Sequence, residues 1–213
     1  VEYLEAALEY NKTFAKLHKV SGLFLYNQRK VTNPGLSYSV PAGMQGAVGR
    51  ATYSYANKYL GEFSIGYNGS ENFPKNKRYG YFPAFSLGWV LSEESFFPKT
   101  QYINYIKFRG SYGETGNDKV GDNRFLYLLG SYAYGSGSYM FGTTGLDKQK
   151  YPSAWEGKLG NPNVTWERAI KHNYGIDLYL IDNKVSINAD YFPEKRNDIL
   201  IDRQTIPSCT GIT

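Results

Sequence analysis

The sequence predicts an all-β chain forming an antiparallel transmembrane β-barrel, and three observations predict it. Segments of about ten residues alternate polar and apolar side chains, as a strand does with lipid on one face and a wet lumen on the other. Tyrosines gather at the ends of these segments, where a ring with one polar tip suits a boundary between lipid and water. No apolar run approaches the roughly 18 residues of a membrane helix; the longest are short, such as Gly22 to Tyr26. The 21 Tyr, 12 Phe and 3 Trp raise aromatic content to 17% of 213 residues. Mean hydropathy is only −0.50, but alternation cancels hydropathy within each strand, so this average does not argue against a barrel.

Eight strands follow in order. Tyr3 to Tyr10 sets Leu4, Ala6, Leu8 and Tyr10 against Glu5 and Glu9, and a turn around Thr13 to Leu17 leads into Lys19 to Asn27. That second strand is the least regular, because Leu23, Phe24, Leu25 and Tyr26 make both faces apolar. Ala47 to Tyr55 alternates Ala51, Tyr53 and Tyr55 with Arg50, Thr52 and Ser54. A tight turn at Ala56 to Lys58 returns the chain as Tyr59 to Tyr67, with Tyr59, Phe63, Ile65 and Tyr67 opposite Glu62 and Ser64. Tyr81 to Leu91 puts Tyr81, Phe85, Leu87 and Trp89 on one face, and Tyr105 to Tyr112 sets Ile106, Phe108 and Tyr112 against Lys107, Arg109 and Ser111. His172 to Ile181 alternates Tyr174, Ile176, Leu178 and Leu180 with Asn173, Gly175, Asp177 and Tyr179. Lys184 to Phe192 alternates Val185, Ile187, Ala189 and Tyr191 with Ser186, Asn188 and Asp190. Asp182-Asn183 reads as a two-residue hairpin turn between these last two, since both side chains tolerate a left-handed backbone.

The connections orient the wall. Those at 11–18, 56–58, 92–104 and 182–183 are short, and those at 28–46, 68–80 and 113–171 are long and rich in Gly, Asn, Ser and Pro. Outer-membrane barrels carry short periplasmic turns and long extracellular loops, so the second set is expected outside. The 113–171 loop is too long for a plain connection and is expected to hold structure and function. Its Gly/Tyr-rich stretches, Phe125 to Tyr134 and Tyr139 to Gly145, are candidates for a hairpin.

Enzyme chemistry finds no constellation. His18 and His172 belong to no HExxH or Cys/His metal spacing, and neither a G-x-S-x-G elbow nor a P-loop is present. No cofactor and no metal site are expected. Asn117, Asp118, Asp122 and Asn123 crowd oxygens into one loop without EF-hand spacing, and a solvated turn is the plainer reading. Cys209 is the single cysteine and can form no internal disulfide. A net charge of +5 without a basic stripe gives no support to nucleic-acid binding.

The candidate substrate-binding residues are Tyr132, Tyr134, Tyr139, Phe141, Tyr151 and Trp155 in the great loop. Their ring faces suit stacking against a glycan or pocketing a peptide; equally, and more commonly, such rings pack a loop against itself or a covering protein. Tyr10, Phe14, Tyr55, Tyr59, Phe96, Phe97, Tyr102 and Tyr105 flank the short turns as an inner aromatic girdle. Glu5, Glu9, Arg50, Glu62, Lys107, Arg109 and Asp177 are expected to face the lumen.

Four segments carry a family resemblance: GAVGRATYSYANKYLGEFSIGYNGSENF from Gly46, RYGYFPAFSLGWVLSEESFF from Arg78, IKFRGSYGETGND from Ile106, and NPNVTWERAIKHNYGIDLYLIDNKVSINADYFPEKRNDIL from Asn161. The chain resembles the SusC-like TonB-dependent transporters of the Bacteroidetes outer membrane. The resemblance implies a barrel of about 22 strands, of which residues 1–213 supply about eight, with 113–171 a large extracellular loop. It implies a plug domain that lies outside this chain, drive from TonB-ExbB-ExbD through that plug, a SusD-like surface lipoprotein as lid, and a glycan or peptide cargo. The setting it implies is a bacterial cell outer membrane with its lipopolysaccharide, crossed many times. Starting at Val1 within a strand, the chain is expected to be a piece of a longer polypeptide. Two other readings stay open: a small closed barrel acting as anchor or adhesin, and a soluble carbohydrate-binding β-module.

Overall fold

A computed structural model describes residues 1–32, 41–98, 100, 102–119, 124–128, 133–142, 149–155 and 160–201. The first six strands are β1 (Glu2–Phe14), β2 (His18–Val31), β3 (Ala42–Tyr55), β4 (Tyr59–Ser70), β5 (Tyr79–Val90) and β6 (Ile103–Asn117). A separate hairpin, β7 (Ala133–Phe141) and β8 (Gln149–Trp155), stands in the long connection, followed by β9 (Glu167–Leu180), β10 (Val185–Tyr191) and β11 (Glu194–Asn197). Every pairing is antiparallel, and the main sheet runs β1-β2-β3-β4-β5-β6-β9-β10, with β11 continuing beside β9. Among the described residues β1 and β10 do not pair with each other, so the sheet is open.

All eight predicted strands form, and seven of them run longer than the alternation suggests. β6, for example, has 15 residues, ending at Asn117, and β9 begins at Glu167. Alternation disappears where both faces meet water, while the backbone ladder continues, so sequence periodicity underestimates strand length. The long connection is correspondingly 118–166.

The registers keep one polarity across the sheet. Leu8 lies opposite Phe24, Ala51 opposite Phe63, Phe63 opposite Phe85, and Phe85 opposite Tyr112. Leu8, Phe24, Phe63 and Phe85 are exposed, Leu8 by 73%, as is Leu87 on the same face by 69%, a face that water would penalise and lipid accepts. Ring pairs brace it, including Phe85–Tyr112 at 5.0 Å and Trp89–Phe108 at 6.4 Å between centroids. The opposite face aligns Lys107 with Asp177 and Arg50 with Ser64, beside Glu62, which matches the expected lumen set.

Three local expectations change. Leu180 pairs with Val185, so residues 181–184 form the turn and Asp182-Asn183 is not a two-residue hairpin. Ile181, Asp182 and Asn183 all take positive φ, 54°, 51° and 63°, which adds a β-branched residue to the two that tolerate it. Tyr105 leaves the girdle: two residues before Lys107 and in unbroken register with it, it carries its ring on the lumen face, stacked on Tyr179 at 5.0 Å. The expected hairpin of Phe125 to Tyr134 with Tyr139 to Gly145 is replaced. Tyr134 and Tyr139 share strand β7, and the partner strand is Gln149–Trp155. The Gly135-Ser136-Gly137 run lies within the strand, where the register shifts between Tyr134 and Ser138.

Buried apolar residues are few among those described. Phe73, Phe82, Val164 and Trp166 form one cluster at the long-loop end, packed by Tyr127. Among the described residues no second sheet packs over either face of the main sheet, as the sandwich expected of a soluble module would require.

Candidate functional site

The β7–β8 hairpin brings three of the six predicted binding residues together. Tyr139 lies directly opposite Tyr151, with Phe141 two residues along the same strand face. Their rings form a patch, Tyr139–Phe141 at 6.1 Å and Phe141–Tyr151 at 5.6 Å, the latter edge-on. Tyr139 is 71% exposed and Phe141 61%, so the ring faces remain open to a ligand. Tyr134 and Trp155 belong to the same two strands beyond the register shift, Tyr134 opposite Ala154 and Trp155 opposite Ala133; Tyr132 lies outside the described residues.

The connection carrying this hairpin is clamped to the barrel end. The Ser70 hydroxyl donates to Asp118 Oδ2 at 2.7 Å, and Asn72 Nδ2 donates to the Asp118 carbonyl at 3.2 Å. Arg124 bonds Glu71 and the Pro41 carbonyl. Lys77 Nζ reaches the Asn163 carbonyl at 3.2 Å, and the Trp166 indole donates to the Arg78 carbonyl at 3.2 Å. Asp118 is thereby committed to a hydroxyl donor, which weakens the reading of its loop as a calcium site; Asp122 and Asn123 lie outside the described residues, as does Cys209. Among the described residues no three His, Cys, Asp or Glu side chains converge as a metal-ligand set.

On the lumen face a groove of 710 Å³ crosses seven strands, lined by hydroxyls and amines such as Thr52, Ser86, Ser111, Lys19 and Lys107. In its lining, Arg109 bridges two carboxylates, Asp190 at 2.7 Å and Asp177 at 3.2 Å. Gly175 makes room for this bridge, since a Cβ there would lie 2.6 Å from Asp190 Oδ1 and 2.8 Å from the guanidinium. Arg50 pairs with Glu62 at 3.2 Å. Such a surface suits hydrophilic contact and offers no activated nucleophile.

At the short-turn end Glu94 holds the girdle. The Tyr59 hydroxyl and the Trp89 indole both donate to its carboxylate, and Lys58 lies 3.6 Å away. These donors, Tyr59 foremost, hold the Glu94 carboxyl below the ordinary carboxylate range.

Alternation reasoning does not find Phe73 and Trp166, because they act in loops, and Asp118, noticed for its oxygens, acts instead as a tie to Ser70 and Asn72. The one signal for Trp166 is the compact Asn161 to Trp166 segment, whose turn formers precede a large ring.

No family model matches the chain. Curated relatives do: it is 35% identical over 77% of its length to TonB-dependent receptor P39 of Formosa agariphila, and 33% identical over 71% to TonB-dependent receptor SusC of Bacteroides thetaiotaomicron. The chain spans only 14% and 15% of those two proteins. Among solved structures, that of the RagAB peptide transporter superposes with a TM-score of 0.75 at 18% identity, over 99% of this chain and 25% of that one, a likeness of fold.

Proposed function

The chain belongs to the TonB-dependent receptors of the SusC kind, and on that premise we propose that its sheet is part of the wall of an outer-membrane nutrient importer. Residues 1–213 supply about eight strands of a barrel of about 22, and the long connection, expected over 113–171 and spanning 118–166 between β6 and β9, faces outward as its large loop. The cargo is an oligosaccharide or a peptide, a peptide being what the RagAB transporter carries. A SusD-like lipoprotein covers the loops, and TonB-ExbB-ExbD acts through a plug supplied by the rest of the receptor. No covalent chemistry is required.

The observation that supports this most is the exposed ring patch of Tyr139, Phe141 and Tyr151 on a hairpin rooted at the long-loop end. Rings with open faces bind sugar faces or apolar peptide side chains, while the polar lumen groove accepts a hydrophilic solute once the passage opens. Replacing the three rings with Ala in the complete receptor tests it. Capture of a maltooligosaccharide ladder or a tryptic casein digest should fall at least tenfold with barrel yield unchanged. Undiminished capture and uptake of every cargo the parent receptor takes would remove the hairpin from the mechanism.

A further inference from the structure

We propose that Trp166 is a positioning residue for the aromatic hairpin, acting as the pin of a clamp that ties the base of β7–β8 to the barrel wall. This rests on the capture role of the hairpin for its biological meaning, but the clamp itself rests on separate observations.

The segment Asn161 to Trp166 folds as a closed clip. The Asn161 side-chain oxygen accepts the Asn163 N–H at 2.9 Å, and the Val164 N–H returns to the Asn161 carbonyl at 3.2 Å. This self-bonded turn presents Val164, 3% exposed, and Trp166, 4% exposed, to the same small core. There the indole lies 5.0 Å from the Phe73 ring and 5.2 Å from Phe82, and its N–H is used on the Arg78 carbonyl. Phe73 and Arg78 come from the β4–β5 loop and Phe82 from β5 itself. Trp166 therefore joins the returning leg of the long connection to a different loop and to the wall.

The outgoing leg is tied to the returning one. The Asn161 N–H donates to the Leu126 carbonyl at 2.7 Å, closing the connection at its neck. From Leu128 to Ala133, and from Trp155 to Gly160, the chain takes five steps each way, a reach of at most about 18 Å. Both feet of the hairpin are thus tethered within a short radius of one fixed point. A lone two-stranded hairpin is marginally ordered in water, and a binding patch that must first be ordered loses affinity. Pinning the neck removes part of that cost before any ligand arrives.

The test uses the complete receptor, with Cys209→Ser and spin labels at Lys150→Cys on the hairpin and Lys30→Cys on β2. Trp166→Ala should broaden the label-to-label distance distribution at least twofold, while Trp166→Phe, which keeps a ring in the core, should broaden it less. With a tryptic casein digest as cargo, Trp166→Ala should raise KM about fivefold or more and leave the maximal rate near its parent value. If Trp166→Ala fails to assemble, Lys77→Ala cuts the exposed tie to Asn163 and should broaden the same distribution. A distribution as narrow as the parent's in both Ala variants overturns the clamp. Broadening with unchanged KM upholds the clamp and overturns the capture role of the hairpin.

Discussion

The Trp89 indole donates to the Glu94 carboxylate across 3.1 Å, joining the last turn of the sheet's girdle to the connection that follows it. The same carboxylate accepts from Tyr59, which lies opposite Trp89 in the β4–β5 ladder. Two aromatic anchors at the boundary are thereby held by one charged group.

That arrangement has an acid limb. The Glu94 pKa is lowered on folding, so its contribution is fully present above the ordinary carboxylate pKa of about 4.3 and is lost as pH falls through the lower folded value. Trp fluorescence of the refolded receptor should shift in that acid window, and Glu94→Gln should flatten the shift. An identical acid profile in the variant would remove Glu94 as its source.

Gly175→Ala should destabilise the barrel by about 1 kcal/mol, because the added methyl meets the charged ends of Asp190 and Arg109 at 2.6 and 2.8 Å and must displace their ion pair. Equilibrium refolding in urea measures this. Asn188, opposite Asp177 on the same lumen-facing side of β10, should accept Ala with a smaller change.

Arg109→Met should cost more than the triple change Arg109→Met, Asp177→Asn, Asp190→Asn. The single change strands two carboxylates that are 18% and 22% exposed, whereas the triple change removes the charges together. Partial solvent access limits the difference to about 1–2 kcal/mol, read from the same urea midpoints.

Ile187→Arg or Ile176→Arg should block membrane assembly. Both residues lie mid-strand on the apolar face, one beside the other's ladder neighbour, where a lipid-facing cation costs about 2–4 kcal/mol. Recovery of parent amounts of heat-modifiable barrel would refute this facing.

Ile181→Asn should stabilise by about 1 kcal/mol, since a β-branched residue at φ 54° carries a left-handed penalty that Asn largely escapes. The gain should appear as a higher urea midpoint with an unchanged slope.

Much of the wall was legible because its solvent is written into each strand. Leu8, Phe63 and Ile187 repeat at the interval that keeps them on one face, and Glu62, Arg109 and Asp177 repeat on the other, so period and polarity together state the fold class. The segments around Gly46, Arg78, Ile106 and Asn161 also carry the family. Strand ends were less legible, since Asn117 and Glu167 pair through the backbone in water, where no face needs an apolar side chain. Turn geometry at Ile181 escaped because it depends on backbone dihedrals that leave composition unchanged, whereas the facing of Tyr105 follows from its alternation with Lys107 and Arg109.

The sequence by itself determined an alternating, lipid-facing sheet and the general location of an aromatic loop. Only the tertiary structure decided that Tyr139, Phe141 and Tyr151 share one face, that Gly175 exists to admit the Arg109 bridge, and that Trp166 reaches back to Phe73 and Arg78. Alternation is a local consequence of pleat and solvent, readable from neighbours two apart. These contacts join residues up to 93 positions apart, as Phe73 and Trp166 are, and arise only when separate strands fix the loop ends in space.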